Sequence, residues 1–442
     1  MNETLKETDL NQFHRLVDES SRNKESGWND SIRRQAISSF TQKGFPTPED
    51  EDWRYTSIEP ILRTPFELAR YELDGLPARI RVHPAFAQSE GRRIIVINGF
   101  YSQELSSLEA LPNGVVVCSL AKAMLKYPDR VQPYLGRYAD HEHQAFVALN
   151  TALMEDGVFV FVPRGMVLEN PIHLIFISWS QNKATISNPR SLIVLGANSQ
   201  AVVVETYIGL EGEPYFTNAV TELVGEENAT IMHCRFQNER PNAFHIATTQ
   251  VYLAGNSQFT SQAISLGGTL ARSDLNVGLD GEGIRTTLDG LYVTSGSQHM
   301  DHHTRIDHWK PYGTSRQLYK GVLNGKSKGV FNGKIVVHKN AQRTDAAQVN
   351  RNLLLSEEAW ANTKPELEIH ADDVKCTHGS TVGQPGEESV FYLRSRGIGQ
   401  DQAMSLLAYA FARDLIERIR VEPVRTELNR LLMDKIQRSE GA

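Results

Sequence analysis

Glycines that return at an interval of nearly thirty residues constrain this chain more than any other feature. Gly196, Gly225, Gly255 and Gly281 lie 29, 30 and 26 residues apart and punctuate runs rich in β-branched residues. The first three open short polar turns: Ala197-Asn198-Ser199, Glu226-Glu227-Asn228 and Asn256-Ser257. A strand-only period of roughly 20–50 residues predicts a β-solenoid. One coil cannot bury its inward face alone, so coils must stack. An antiparallel sandwich is the competing arrangement. It would favour two-residue hairpins, for which Asn324-Gly325 and Asn332-Gly333 are signals.

The solenoid is expected over residues 151–390, between two other regions. Residues 1–150 read as mixed and mostly helical. Asp30 and Ser31 begin a helix with Ile32, Ala36, Ile37 and Phe40 on one stripe, closed by Gly44. Arg93–Asn98 and Gly114–Cys118 read as short buried strands, and Ala145–Met154 as a helix. Glu51-Asp52-Trp53-Arg54-Tyr55 reads as a loop with aromatic anchors. Residues 391–442 read as helical. Ala403, Leu406, Leu407, Ala410, Phe411, Leu415 and Ile419 keep helical spacing, and a second helix after Pro423 carries Val424, Leu428, Leu431, Leu432 and Ile436. Such stripes either pack on the solenoid or dock another protein. Leu407, Phe411, Leu415, Leu428 and Leu432 supply the spacing of a partner-binding face.

Bulk properties exclude several classes. The net charge of −7 argues against a general nucleic-acid binder, which needs a basic face. No apolar run approaches the roughly 18–20 residues of a membrane span. The N-terminal stretch Met1–Leu10 is polar and acidic, so a cytoplasmic location is expected. Three widely spaced cysteines, Cys118, Cys234 and Cys376, make neither a disulfide framework nor a self-contained zinc ribbon.

Four segments invite a chemical reading. In Asp372-Asp373-Val374-Lys375-Cys376-Thr377-His378-Gly379 a thiol and an imidazole stand two apart. On a strand they share one face, about 6–7 Å apart. Soft and borderline ligands suit zinc or an iron–sulfur species, but about four ligands are needed, so others must come from elsewhere. Counting alternation from Glu366 through Glu368, His370 and Asp372 puts Cys376 and His378 on a polar face. The run from His299 to His308 is the densest histidine cluster. As a strand it would present His299, Asp301, His303 and Asp307 together, with His299 and His303 as candidate metal ligands. A metal-free polar ladder is the simpler reading of that run. Gly321–Ser327 looks like a phosphate loop but is one residue short and opens no helix, so nucleotide binding is not expected there. Gly281-Glu282-Gly283 lacks the third glycine of a dinucleotide fingerprint and reads as a turn.

Taken together, the segments Glu51–Thr56, Ala148–Ala152, Phe161–Gly165, Gln298–His308, Gly321–Gly325, Val330–Lys334, Asp372–Gly379 and Phe391–Ile398 resemble the SufB/SufD family of iron–sulfur cluster assembly subunits. Without clustered cysteines the chain is similar to the SufD type. The resemblance implies a right-handed parallel β-helix between helical N- and C-terminal regions. It implies a scaffold subunit without ATPase activity, paired with a SufB-like paralogue and a SufC-like ABC ATPase, with a homodimer when isolated. It implies a transient iron–sulfur cluster at the subunit junction, where Cys376 and His378 match the family's interface residues, and a reduced flavin on the complex. The C-terminal helices would then dock the ATPase. A reading from another class is a metal-dependent β-helix enzyme using the His299–His308 cluster.

Overall fold

The architecture was determined as a computed structural model that describes residues 3–22, 27–81, 92–108 and 110–438. Met1 and Asn2, at the head of the polar N-terminal stretch, lie outside the described residues, and Glu3–Arg22 is a helix. Among the described residues no helix is long and apolar enough to cross a membrane.

The centre is a parallel β-solenoid with two strands per coil. Successive strands alternate between two sheets: Gln200–Gly209 lies in a 10-stranded sheet, Tyr215–Gly225 in an 11-stranded one, and Thr230–Asn238 returns to the first. Thr230 pairs in parallel with Gln200 on one side and Gln258 on the other, 30 and 28 residues away. The sequence period is therefore the length of one coil. Ile193, Leu223, Val251, Val277 and Ile306 are buried in the single apolar core between the sheets.

The corners show what the glycines do. The left-handed backbone position falls not on Gly196, Gly225 or Gly255 but on Asn198, Asn228 and Asn256, with φ of 59°, 57° and 56°. Asparagine tolerates this conformation. Asn228 Nδ2 also donates to Asn198 Oδ1 at 3.0 Å across adjacent coils. The glycines allow coils to approach: a Cβ on Gly281 would meet the backbone nitrogen of Gly255 at 2.3 Å. The two Asn-Gly pairs are not hairpins. Asn324-Gly325 turns the chain between strands of different sheets, and Asn332-Gly333 lies inside strand Lys328–Val337.

Helices cover the outer faces. On the 11-stranded sheet, Phe146 and Leu149 of helix Ala145–Leu153 join Phe216, Phe244 and Leu270. On the 10-stranded sheet, helices Gln400–Glu417 and Glu422–Arg438 bury Ala408, Ala412, Leu415, Leu428 and Leu432 against Phe236, Ile264, Leu291 and Val322. The small Ala408 and Ala412 let the first of these helices sit close. A further helix, Glu387–Ser395, buries no residue.

The two ends differ. At the N-terminal end, Arg92–Ile97 extends one sheet in parallel and pairs antiparallel with Phe100–Ser107. The short strand Val116–Ser119 runs antiparallel to Gly157–Val162. The C-terminal end stops at two full-length strands, Trp360–Ile369 and Lys375–Gly383, each the last of its sheet.

Candidate functional site

Cys376 and His378 stand on the last strand of the solenoid, where the next coil would begin. Lys375–Gly383 pairs only with Asp345–Leu354, so that Cys376 lies beside Ala346 and His378 beside Gln348. Ala346 and Gln348 are fully buried, and Gln348 donates to the Gly333 carbonyl at 2.9 Å across the interior. Cys376 packs against the solenoid core. The two side chains therefore share the inward face of the last coil, and His378 is exposed because no further coil covers it.

This corrects the expected polar outer face. Alternation cannot be counted from Glu366 to His378, because residues 370–374 form a corner between strands. Leu367 packs inward, so Glu366 and Glu368 point out; after the corner Cys376 again points inward. On the outer side Lys334 and His370 bond Glu368 at 2.8 and 2.9 Å and hold its carboxyl low.

Burial is the main influence on the Cys376 thiol and pushes its pKa up. The group is thus a thiol at neutral pH, and a metal would have to displace its proton in order to bind it. Cys118 and Cys234 are pushed further, to about 11 and about 12, also chiefly by burial. Cys234 is enclosed, bonded to Gln262 Oε1 at 3.3 Å.

The His299–His308 segment is a strand whose polar side chains are tied into a hydrogen-bonded network. Asp301 is buried and accepts from Arg272 Nη1 at 3.0 Å and Thr56 Oγ1 at 2.6 Å, while His303 Nε2 lies 3.0 Å from its other oxygen. Burial would raise the Asp301 carboxyl, but His303 and Arg272 outweigh it and hold the group well below the usual range. His299 Nε2 meets the same Thr56 hydroxyl at 2.9 Å. Asp307 faces Arg305 and His338 instead. Arg272 thus supplies the positive charge beside Asp301. Among the described residues no three His, Cys, Asp or Glu side chains gather as a metal site. Arg272 also stacks on Trp53 at 3.7 Å and donates to the Asp52 carbonyl at 2.6 Å. The network clamps the Glu51–Thr56 loop onto the solenoid. Its Tyr55 reaches Trp360 on a terminal strand, ring centroids 5.8 Å apart.

The phosphate-loop look-alike is strand, corner and strand: Gly321 is buried against Tyr292 and Asn352, and Lys328 begins the next strand. Of the expected docking residues, Leu415, Leu428 and Leu432 are not available to a partner, because they are buried against the chain's own solenoid. Phe411 is half-buried, with Lys320 Nζ 4.7 Å from its ring. Leu407 is also half-buried. The open apolar positions of these helices are Phe391, Tyr392 and Leu406, at 73%, 57% and 39% exposure. Helical spacing located the stripe but not its buried side, since Ala408 and Ala412 carry little hydrophobic signal. The terminal strands, missed as a feature, could have been found from the lack of any strand pattern after Gly383.

Two family models cover most of the chain. One, described as the SUF system FeS cluster assembly SufBD core domain, matches residues 176–411; the other, the SufBD protein N-terminal region, matches residues 6–174. The chain is 35% identical over 407 residues to an iron–sulfur cluster assembly SufBD family protein of Synechocystis, covering 89% of each. It is 30% identical to the iron–sulfur cluster assembly protein SufD of Escherichia coli, over 89% of this chain and 90% of that one. Against SufD of Bacillus subtilis the identity is 25%, over 95% and 96% of the two chains.

Proposed function

The chain belongs to the SufBD family of iron–sulfur cluster assembly proteins, and from that premise we propose that it is a scaffold subunit whose open solenoid end helps to build a nascent cluster. One observation carries the reading: Cys376 and His378 occupy the inward face of a coil that nothing covers, between two unpaired strand edges. Long bare edges invite pairing with another chain. A SufB-like paralogue ending in similar strands would continue the sheets and enclose the two side chains. In its absence a second copy of this chain would occupy the same edges. His378 is the first ligand and Cys376 a second ligand or the acceptor of sulfur. Two ligands cannot hold a cluster, so the partner completes the set.

A SufC-like ABC ATPase supplies the work in this reading. It would dock on the open face of the C-terminal helices, through Phe391, Tyr392 and Leu406 and not through the buried leucines.

The test is His378→Ala in cells that depend on this chain, with the complex purified alongside. We expect cluster assembly and growth to fail while complex yield stays unchanged, because an exposed side chain contributes little to folding. Normal growth would reject His378 as a ligand. Loss of the complex would make it an interface residue instead.

A further inference from the structure

The amide of Gln348 is a buried group of which the packing uses only one end. In the ladder between the last two strands of its sheet, Gln348 stands beside His378, their backbones about 4.8 Å apart. It is fully buried, and its Nε2 donates to the Gly333 carbonyl at 2.9 Å across the interior. Position 333 is cleared for this amide: a Cβ there would lie 2.3 Å from Nε2. The two ends of the amide cannot be exchanged, because Oε1 in place of Nε2 would set two acceptors against each other. Oε1 is therefore the unused end, and it is buried with no hydrogen-bond partner. A buried acceptor in this state costs stability, so it calls for a donor.

The register gives this amide two neighbours on its row. Toward the N-terminal end lies Gln317, whose Nε2 already donates to Thr304 Oγ1. Toward the open end lies the ring of His378, exposed on the last strand. A histidine that binds a metal through one ring nitrogen almost always donates its other N–H to a carboxylate, a carbonyl or water, which fixes the ring and its tautomer. The Oε1 of a glutamine is such a carbonyl acceptor. Cys376 has no counterpart, because its neighbour on the ladder is Ala346.

We propose that Gln348 is the positioning residue for His378: when His378 takes up a metal ion, its second ring nitrogen donates to Gln348 Oε1, and the pinned amide turns the ligating nitrogen toward the open end. The inference rests on the reading of His378 as a ligand. One ring nitrogen gives its lone pair to the metal and the other keeps its proton for the amide. The Gly333 carbonyl holds Nε2, so the amide cannot turn away from the ring. The open end thus carries one oriented ligand before any other chain covers it.

The test uses the full chain and Zn(II) alone as the probe, at a single neutral pH, with affinity measured by competition against a chromophoric chelator. His378→Ala marks the share of binding that depends on His378. Gln348→Met should weaken that share about tenfold or more. Gln317→Met makes the same change one coil deeper, at a residue equally buried and also with an unpartnered Oε1, and should stay within about threefold of the parent. The ring is read directly by nitrogen NMR of the histidine-labelled, Zn(II)-loaded chain. In the parent the His378 ring N–H signal should persist, shielded from exchange with water; in Gln348→Met it should be lost. Unchanged affinity in Gln348→Met, equal weakening by Gln317→Met, or the same N–H signal in parent and variant overturns the positioning role while leaving His378 as a ligand. Zn(II) binding unchanged in His378→Ala instead overturns the ligand reading, and this inference falls with it. If Gln348→Met does not fold, Gln348→Asn, whose shorter amide cannot reach, takes its place with the same losses expected.

Discussion

The two ends of the solenoid are built from the same kind of coil yet meet solvent in opposite ways. At the N-terminal end, strand Gly157–Val162 is buried along nearly its whole length, flanked by a four-residue antiparallel strand and by Leu120, Ala123 and Val131 packed on Phe159. At the C-terminal end, strands of ten and nine residues contain no buried residue. Trp360, Ile369 and Val382 are each more than 40% exposed there. Proteins usually shorten, charge or cover an edge strand. This chain does so at one end only. The difference teaches that the terminal coil alone leaves its inner face open, which is the feature the proposed pairing with another chain would use.

The largest expected contrast lies in the ion pairs of the two ends. Near the N-terminal end Arg190 and Glu222 are wholly buried, 2.6 Å apart, and Arg190 also bonds Asn150 and Thr151. Arg190→Ala leaves a buried carboxylate without its cation and should cost about 3–5 kcal/mol. At the open end Lys364 joins Glu51 and Glu366 across exposed surface. Lys364→Ala should cost at most about 1 kcal/mol. Denaturant unfolding of both variants checks this. Comparable losses would mean that the open end is as firmly built as the closed one.

Acid should separate the ends by a smaller amount. His302 and His308 are buried in the later coils, and burial is the main cause that lowers them to about 3 and about 4. The unfolded chain takes up these protons near pH 6.5 and the folded chain does not. Their contribution is thus whole above pH 6.5 and is lost as pH falls toward 4. At pH 5.5 the two together should remove about 3 kcal/mol. His173, near the N-terminal end, is likewise lowered to about 4 by burial and accounts for about half as much loss there, so hydrogen exchange near that pH should show the coils from His299 onward losing more protection than those around Arg190. Equal loss along the whole solenoid would break the distinction.

How much of this contrast was legible in the sequence depends on the length scale of the signal. The coil period was, because every coil repeats a corner, and Gly255 and Gly281 mark places where backbones touch. The strands Arg92–Ile97 and Gly157–Val162 were also legible as continuous apolar runs. The inward facing of Cys376 was not. It depends on the corner at residues 370–374, which resets alternation and leaves no hydrophobic trace. The buried side of the C-terminal helices was misjudged because Ala408 and Ala412 pack by being small. The clamp of Arg272 on Trp53 joins residues far apart in the chain, and no local pattern reports it. The Cys376–His378 pair was visible as a pair of ligand types, whereas its place at an uncovered end needed the topology.

The least disruptive change should be a proline in the last strand, and it bears most directly on what the open end is for. The Lys375 N–H donates to the Thr344 carbonyl at 2.9 Å, toward the neighbouring strand. In a parallel strand the direction of these groups alternates, so the N–H groups of Cys376, His378, Ser380 and Val382 face the bare edge. Ser380→Pro therefore removes no hydrogen bond from the ladder, and an edge strand tolerates proline at such a position. Stability should change by less than about 1 kcal/mol. Thr381→Pro, one residue on, removes an N–H that points into the sheet and should be the more damaging of the two. If the bare edge pairs with a SufB-like chain or a second copy, Ser380→Pro removes a donor from that pairing and places a ring in its path. Co-purification with the paralogue, and the dimer fraction of the isolated chain by analytical ultracentrifugation, should both fall at least about tenfold while thermal unfolding stays near that of the parent. Undiminished association would mean that partners bind elsewhere, and the exposed inner face of the last coil would then need another explanation.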